Sequence, residues 1–291
     1  MSAAPTYGAE WYAGSHLPMQ VVDMRPQPDS ELHRHEFVEL VLICAGTGRH
    51  LLDRRGFTVG PGDVFVIPPG MVHGYDRTRG LEIINILYEP NLLPLPRWDL
   101  AAVPGFHALF AVEPRLREEH GFQARLHLDA RDQHRILRLV DGMRRELRAE
   151  APGCAFAGAA WLMQIIVELA RAYSAEQSPQ ARNVYGLAEV LTAMERDLAH
   201  PFTVHELAAI AHVSVSSLQR LFRRALDATP VEHLNRLRIR RACDLLRDPR
   251  RSVGEVARTV GIADSNYFAR LFRREMTCSP RGFRRSLQQE L

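Results

Sequence analysis

TVHELAAIAHVSVSSLQRLFRR, residues 203–224, returns in altered form as SVGEVARTVGIADSNYFARLFRR, residues 252–274. The two stretches share their apolar positions at a constant offset of 49 residues, and one residue is inserted in the second before the common LFRR. Apolar residues at helical spacing, interrupted by a short break, predict two helices joined by a tight turn. The chain therefore carries a helix-turn-helix pattern twice.

Both repeats begin with a helix-starting sequence. Thr203 is followed three residues later by Glu206, and Ser252 is followed by Glu255. In such a capping box the hydroxyl and the carboxylate satisfy free amides of the first helical turn. The two starts predict helix boundaries at equivalent places in the two repeats.

The turns and the second helices also correspond. The breaks fall at His212 and at Gly261, and glycine accepts the left-handed conformation that a tight turn needs. Ser214 and Asp264 are natural caps for the helices that follow. The predicted inward residues are Leu218, Leu221 and Phe222 in the first repeat and Phe268, Leu271 and Phe272 in the second.

The outward faces of the second helices carry side chains of the types that suit DNA recognition. Arginine pairs with guanine and glutamine or asparagine with adenine, while serine and further arginines suit phosphates. A single arginine-rich helix would also be typical of a solvated surface, but two copies with matching caps favour a reading function. The candidate DNA-binding residues are Ser216, Ser217, Gln219, Arg220, Arg223, Ser265, Asn266, Arg270 and Arg273.

A third helix is predicted between the repeats, in TPVEHLNRLRIRRACDLLRD, residues 229–248. Thr229 caps it, Pro230 takes the first helical position and Glu232 completes another capping box. About 18 residues make a rod of roughly 27 Å. A connector of that length suits two reading helices placed about one DNA turn, ~34 Å, apart.

Residues 187–285 resemble the DNA-binding domain of the AraC/XylS family of bacterial transcription regulators. The resemblance covers both repeats, the start of the connector, and a closing SP-x-x-F at Ser279, Pro280 and Phe283. It implies a DNA-binding unit with two reading helices, usually one of a pair in a dimer that activates transcription beside RNA polymerase. It also implies base contacts from the positions of Ser216, Gln219, Arg220, Ser265, Asn266 and Arg270.

Length and charge agree with two domains. The chain has 291 residues; residues 182–291 hold 19 Arg against 12 acidic residues, and residues 1–181 hold 18 Arg against 22, for a net charge of +3. A basic C-terminal half indicates nucleic-acid binding in that half. The four cysteines lack the spacing of a disulfide framework or a zinc site. We expect a cytoplasmic protein with no membrane partner, because no signal segment is present and the longest apolar run, residues 153–170, is interrupted by Gln164 and Glu168.

The N-terminal half predicts a small β-barrel followed by helices. Strand-like runs separated by glycine and proline occupy about residues 15–90, and helical spacing occupies about 129–173. Two apolar stripes need a partner surface, either the barrel or a second subunit. They are Ile136, Val140, Met143 and Leu147, and then Phe156, Ala160, Met163 and Val167. The predicted architecture is thus α+β with two domains, 1–173 and 184–291, joined by a polar linker, 174–183.

The barrel region also resembles the two cupin motifs, through His33, His35, Glu39 and His73. In metal-binding cupins the matching residues hold iron, manganese, nickel or zinc. Three interpretations stay open: a metal-free pocket for a polar effector, a metal site, or barrel residues without a role. The AraC/XylS resemblance favours the first, since cupin-like domains of that family mostly bind effectors such as sugars, and it implies no cofactor.

A sugar needs several fixed donors and acceptors in a largely apolar cavity. The candidate effector-binding residues are His33, Arg34, His35, Glu39, His73 and Tyr88, with Tyr88 and Trp98 as stacking platforms. Three segments (residues 33–50, 85–88 and 264–275) resemble the L-rhamnose regulators of the family most closely.

The sequence therefore predicts a DNA-binding transcription activator, not an enzyme, that forms a homodimer and responds to a sugar such as rhamnose. Two alternatives stay open at this point: a cupin metalloprotein or enzyme with a DNA-binding appendage, and a regulator that binds DNA without an effector.

Overall fold

A computed structural model describes residues 4–8, 18–52, 55–93, 99–117, 121–175 and 181–289. The chain divides into two compact units, residues 1–188 and 189–291. The first unit contains the sheet and the second is built from helices, so the α+β class predicted from the sequence is confirmed.

The first unit is organised around one eight-stranded sheet with the order β1-β3-β7-β4-β6-β8, in which β2 also pairs with β7 and β5 with β4. The strands are β1 (Thr6–Tyr7), β2 (Met19–Met24), β3 (Ser30–His35), β4 (Val38–Leu52), β5 (Arg55–Val59), β6 (Asp63–Ile67), β7 (His73–Tyr88) and β8 (Leu126–His127).

The long antiparallel pair β4–β7 shapes this sheet. It runs from Val38 opposite Tyr88 to Leu52 opposite His73, with three interruptions of register that bend both strands. At one of them Gly46 has φ +71°, and a Cβ there would lie 2.0 Å from the carbonyl oxygen of Gly80. Only glycine fits this bend.

Bending brings side chains of four strands into one core. The buried cluster consists of Val41, Ile43, Val59, Phe65, Ile67, Tyr75, Leu81, Ile83 and Phe122. Alternate residues such as Leu40 and Ile86 are also fully buried, on the opposite face of the strands. Both faces of the sheet are therefore covered.

Helices follow the last long strand. They are α1 (Pro104–His107), which continues through a π-helical turn (Ala108–Val112) into α2 (Glu113–Leu116), then α3 (Ala130–Ala149) and α4 (Cys154–Ala175). Arg144 of α3 forms an ion pair with Asp23 of β2 at 2.8 Å, and Gln133 donates to the carbonyl of Ile43.

The two predicted helical stripes have different outcomes. Ile136, Val140 and Met143 of α3 are buried as expected. On α4 the buried stripe is a different one: Gly158, Leu162, Ile165, Ile166, Leu169, Ala170 and Tyr173. Phe156 of the predicted stripe is 85% exposed, and its other members are half-buried. Because α4 is apolar on more than one side, spacing alone did not identify the side that meets the core. A second subunit, the other predicted partner of the stripe, stays a prediction.

Helix α4 is also, by length and composition, apolar enough to cross a membrane, with a mean hydropathy of 1.3 in its most apolar window. The same helix carries the buried stripe just described and contacts α3 and α1. We therefore interpret it as the core helix that the sequence predicted.

The second unit is a set of helices. Its members are α5 (Arg182–Arg196), which crosses the boundary between the units, α6 (Val204–Ile210), α7 (Val215–Leu226), α8 (Pro230–Leu246), α9 (Val253–Thr259), α10 (Ser265–Met276) and α11 (Pro280–Gln289). Of the predicted linker 174–183, Ser174 and Ala175 still belong to α4 and Arg182 begins α5.

The predicted caps of the second unit are present. Capping boxes join Thr203 with Glu206, Thr229 with Glu232, and Ser252 with Glu255. The backbone amide of each cap residue donates to the carboxylate, which holds the pKa of all three glutamates below the ordinary value. Each helix start is therefore determined locally.

The two turns differ by one residue. His212 (φ +54°) and Gly261 (φ +77°) both adopt the left-handed conformation. Ser214 caps α7 and Asp264 caps α10, so the inserted residue is Ala263, within the second turn. A Cβ on Gly261 would lie 2.7 Å from the Cα of Ala199, which explains why glycine stands in this turn.

Candidate functional site

The first reading helix, α7, is strongly two-sided. Leu218, Leu221, Phe222 and Ala225 are buried, while Ser216, Gln219, Arg220 and Arg223 are exposed. Ser217 is half-buried; its amide donates to the Ser214 hydroxyl at 3.2 Å and its own hydroxyl accepts from Arg220 at 3.4 Å. The structure therefore brings the predicted residues of this repeat together on one solvent-facing surface.

The second reading helix, α10, repeats the arrangement with other side chains. Phe268, Leu271 and Phe272 are buried, and Ser265, Asn266, Arg270 and Arg273 are exposed. The Asp264 carboxylate accepts from the amides of Asn266 and Tyr267 at 2.8 and 3.0 Å. These bonds are the largest cause of its lowered pKa, and Arg270 contributes in the same direction.

One exposed residue of α10, Tyr267, was not among the candidate DNA-binding residues predicted from the sequence. Tyr267 is 41% exposed, and its hydroxyl accepts a hydrogen bond of 3.2 Å from Asn235 of α8. With Ser214 and Asp264 aligned as caps, Tyr267 stands opposite Ser217 and Ala269 opposite Gln219. An alignment on the two cap residues, instead of on the apolar residues, would have shown that Tyr267 replaces Ser217 and that Ala269 replaces Gln219.

The connector α8 has 17 residues, one fewer than expected, and is packed along its length. Its buried residues include Leu234, Leu237, Ile239, Ala242 and Leu246. Arg238 donates to the carbonyls of Leu198 and His200 at 2.8 and 2.9 Å. Both helix-turn-helix units are thus built onto one rigid helix.

In the first unit a cavity of about 240 Å³ opens among β1, β2, β3, β4 and β7. It is smaller than the roughly 300–1,000 Å³ typical of drug-sized ligands, which suits a ligand of monosaccharide size. Its polar lining residues are Tyr7, Gln27, Ser30, Glu31, His33, His35, Glu39, His73, Tyr75 and Asn85.

Three predicted residues converge at this cavity. The Nε2 atom of His35 lies 3.0 Å from a carboxylate oxygen of Glu39, and Nε2 of His73 lies 3.5 Å from the same oxygen. All three side chains are buried. The Nδ1 atom of His35 lies 2.7 Å from the carbonyl oxygen of Phe37, which can only accept, so Nδ1 carries a proton.

This trio fits a cation in its donor chemistry. One ligand atom from each of the three residues lies within 4.8 Å of the others, and the bond from His35 to a carbonyl orients its ring as in many metal sites. Without a cation, His35 and Glu39 are hydrogen-bonded to each other, whereas neither ring nitrogen of His73 has a hydrogen-bond partner among the described residues. His33 lies outside the trio, with Nδ1 2.9 Å from the carbonyl oxygen of Glu31, although its ring centroid is 4.3 Å from that of His73.

Two predicted effector residues are not among the residues that line the cavity. Arg34 lies between the lining residues His33 and His35, and Tyr88 directly follows Leu87. Successive side chains of a strand point to opposite faces, so these two face away. Trp98 falls outside the described residues.

The same alternation identifies lining residues that the motif search missed. Tyr75 follows His73 at a spacing of two on β7, and Asn85 and Leu87 repeat that spacing further along the strand. A period of two counted from the motif histidine would have suggested Tyr75.

Comparisons with known proteins cover both units. An AraC-like ligand binding domain matches residues 22–166, and a helix-turn-helix domain matches residues 207–286. The first match contains His35, Glu39 and His73, and the second contains both reading helices.

Three relatives match over nearly the whole chain. The HTH-type transcriptional activator RhaR of Pectobacterium carotovorum is 29% identical over 91% of this chain and 90% of its own length. RhaR of Klebsiella pneumoniae is 30% identical over 93% of both chains, and the activator RhaS of the same species is 31% identical over 89% of both. The chain belongs to the AraC family of transcription regulators, with an AraC-like ligand-binding domain followed by a double helix-turn-helix domain.

Proposed function

We propose that this protein is a sequence-specific transcription activator whose N-terminal cavity binds a small neutral sugar such as L-rhamnose. The observation that carries the proposal is the pairing, in one chain, of two exposed reading helices on one connecting helix with a cavity that is lined by buried polar side chains. The relatives RhaR and RhaS are transcriptional activators, which supports a regulatory and non-enzymatic role.

On DNA, α7 and α10 enter major grooves on one face of the duplex. Gln219 and Arg220 from the first helix, and Asn266 and Arg270 from the second, have the donor patterns that read adenine and guanine edges. Ser216, Ser217, Arg223, Ser265 and Arg273 contact the phosphate backbone and set the register. A helix α8 of 17 residues, about 25 Å long, keeps the two readers at a fixed separation.

In the N-terminal unit the sugar occupies the cavity beside His33, His35, Glu39 and His73. Binding there changes the regulator only to the extent that two conformations of the protein bind the sugar with different affinity. The sugar thereby changes how the protein occupies its operator.

The protein acts as a homodimer in the cytoplasm and contacts RNA polymerase. The outward side of α4 supports the dimer, because Phe156 is 85% exposed and Ala160, Met163 and Val167 are only half-buried on a helix rich in apolar residues. Sedimentation of the full chain and of a Phe156→Glu variant tests this: the variant becomes monomeric at concentrations at which the wild type is dimeric.

Footprinting of the full chain on its promoter, with and without sugars, tests the whole proposal. We expect protection of two unlike half-sites per protomer, and a change of occupancy or transcription with one sugar. If no sugar changes either, the regulator acts without an effector. Stoichiometric iron or manganese in the purified protein, with a reaction that depends on it, would instead favour a metalloenzyme with a DNA-binding appendage.

A further inference from the structure

The inner part of the cavity contains polar atoms without a hydrogen-bond partner among the residues that the structure describes. They are both ring nitrogens of His73, the hydroxyl of Tyr75 and Oδ1 of Asn85, all on β7. His73 is 1% exposed and Tyr75 is 3% exposed, and all three residues line the cavity. Such groups are rare in folded proteins and mark places where another molecule completes the bonding.

A fourth residue lies directly behind them. Both ring nitrogens of His50 are also without a partner among the described residues, and the side chain is fully buried. Its ring centroid lies 5.3 Å from that of Tyr75 and 5.8 Å from that of His73. Its ring also lies against Phe65 and Phe122, with centroids 4.8 and 5.6 Å away, so His50 packs behind the residues that line the cavity.

The charges of the residues that line the cavity limit the ligands that it can bind. The charged groups that line the cavity are the carboxylates of Glu31 and Glu39, and no described lining residue is an arginine. A ligand with its own carboxylate or phosphate would therefore meet repulsion and find no cationic partner.

The available donors and acceptors match adjacent hydroxyl groups. A neutral imidazole offers one donor and one acceptor, a phenol offers both, and Oδ1 of Asn85 only accepts. A ligand hydroxyl likewise donates once and accepts, so hydroxyl groups match the donors and acceptors that His73, Tyr75 and Asn85 present to the cavity. An amine or a purely apolar ligand would leave part of this set unpaired.

We propose that His73, Tyr75 and Asn85, supported by His50, form a subsite that binds adjacent hydroxyls of an uncharged sugar and rejects its acid or phosphorylated forms. This proposal rests on the proposed effector function. It means that the regulator responds to the sugar before any reaction that oxidises or phosphorylates it.

The first test needs no ligand and compares the melting temperatures of two full-length variants. Tyr75→Phe removes a hydroxyl without a partner and should leave the melting temperature unchanged or raise it. Tyr173→Phe is the matched control, because the Tyr173 hydroxyl is buried and donates to the carbonyl of Ala124, and its loss should lower the melting temperature. A fall for Tyr75→Phe equal to that of the control would overturn the subsite.

The second test measures binding by calorimetry, with L-rhamnose, L-fucose and L-arabinose against the acid L-rhamnonate. We expect a neutral sugar to bind the wild type, the acid to bind at least tenfold more weakly, and Tyr75→Phe to lose about tenfold in affinity for the sugar, while Tyr173→Phe does not. Equal binding of sugar and acid, or unchanged binding by Tyr75→Phe, would overturn the subsite. If no sugar binds the wild type, the proposed effector class fails, whereas the melting comparison still decides whether Tyr75 is unpaired.

Discussion

The two candidate sites use polar side chains in opposite ways. On the reading helices the polar groups are exposed, and the backbone beneath them is satisfied by capping residues such as Ser214 and Asp264. In the cavity the polar groups of His73 and Tyr75 are almost fully buried and lack partners among the described residues. The polar groups of the reading helices are hydrated in the absence of DNA, so leaving them unbound costs little. The polar groups of the cavity are buried, so leaving them unbound destabilises the free protein, and only a ligand with matching donors and acceptors removes that cost.

The largest expected difference between the two sites is in how strongly their binding affinities depend on salt concentration. Operator affinity should fall on the order of a thousand-fold between 50 and 200 mM salt, because arginines release condensed counterions from DNA. Sugar affinity should change by about twofold at most, since the buried cavity is screened little. Fluorescence anisotropy on operator DNA and calorimetry on the sugar, in the same buffers, measure both. Parallel salt dependences would contradict the distinction.

The second largest effect is expected from the loss of single arginines on the two reading helices. Arg220→Ala and Arg270→Ala should each weaken specific binding by about 1–3 kcal/mol and relax base preference in only one half-site. Arg281→Ala on α11, outside both reading helices, is the control and should not alter base preference. Binding to a library of single-base operator variants reports both effects. If neither reading-helix variant altered base preference, the assignment of α7 and α10 would be wrong.

The pH dependence of the unfolding free energy tests whether the buried His50 beside the cavity stays neutral in the folded protein. The folded pKa of His50 lies well below its ordinary value of 6.5, so the folded state keeps the ring neutral while the unfolded chain takes up a proton. The unfolding free energy therefore has its full value, with respect to His50, above pH 6.5. It decreases as the pH falls below 6.5, by at most about 1.4 kcal/mol per pH unit for this residue.

The measurement is urea denaturation of the full chain at pH 7.5 and 5.5. His50→Leu should reduce the loss of unfolding free energy between the two pH values, because the unfolded variant no longer binds a proton at this position. Part of the loss should remain, because His73 and the other titrating groups are still present. An equally steep loss in His50→Leu would show that His50 does not keep its ring neutral in the folded protein.

The smallest effect concerns the difference between the two reading helices. Gln219→Ala should cost about 1 kcal/mol of operator binding, mostly at an adenine in the first half-site. Ala269→Ser, at the equivalent position of α10, keeps a small side chain that makes no bidentate base contact and should affect binding less. Equal losses from both changes, measured on the same operator, would indicate that the two half-sites are read alike.

Much of the second unit could be predicted from the sequence because its determinants are local. Thr203, Thr229 and Ser252 each have a glutamate three residues later, and all three capping boxes are present. The insertion before LFRR was visible, but its place in the turn at Ala263 was not, since apolar spacing alone does not define where a helix begins.

The first unit was harder to predict. The cupin-like motif identified His35, Glu39 and His73, which do converge, but Arg34 and Tyr88 were also chosen although they do not line the cavity. Arg34 was chosen as a polar group near the mouth of the barrel and Tyr88 as an aromatic platform for a sugar ring, and strand alternation turns both away.

The sequence by itself therefore determined the two helix-turn-helix units, their caps and the α+β class, because helix signals act within a few residues. Only the tertiary structure decided which side of α4 is buried, and that Tyr75, Asn85 and His50 complete the cavity around the motif histidines. The cavity depends on how β4 and β7 bend and pair between residues that are 21 to 50 positions apart, from Leu52 opposite His73 to Val38 opposite Tyr88, and the buried side of α4 depends on its packing against α3 and α1. Contacts of that range leave no periodic signature in the sequence.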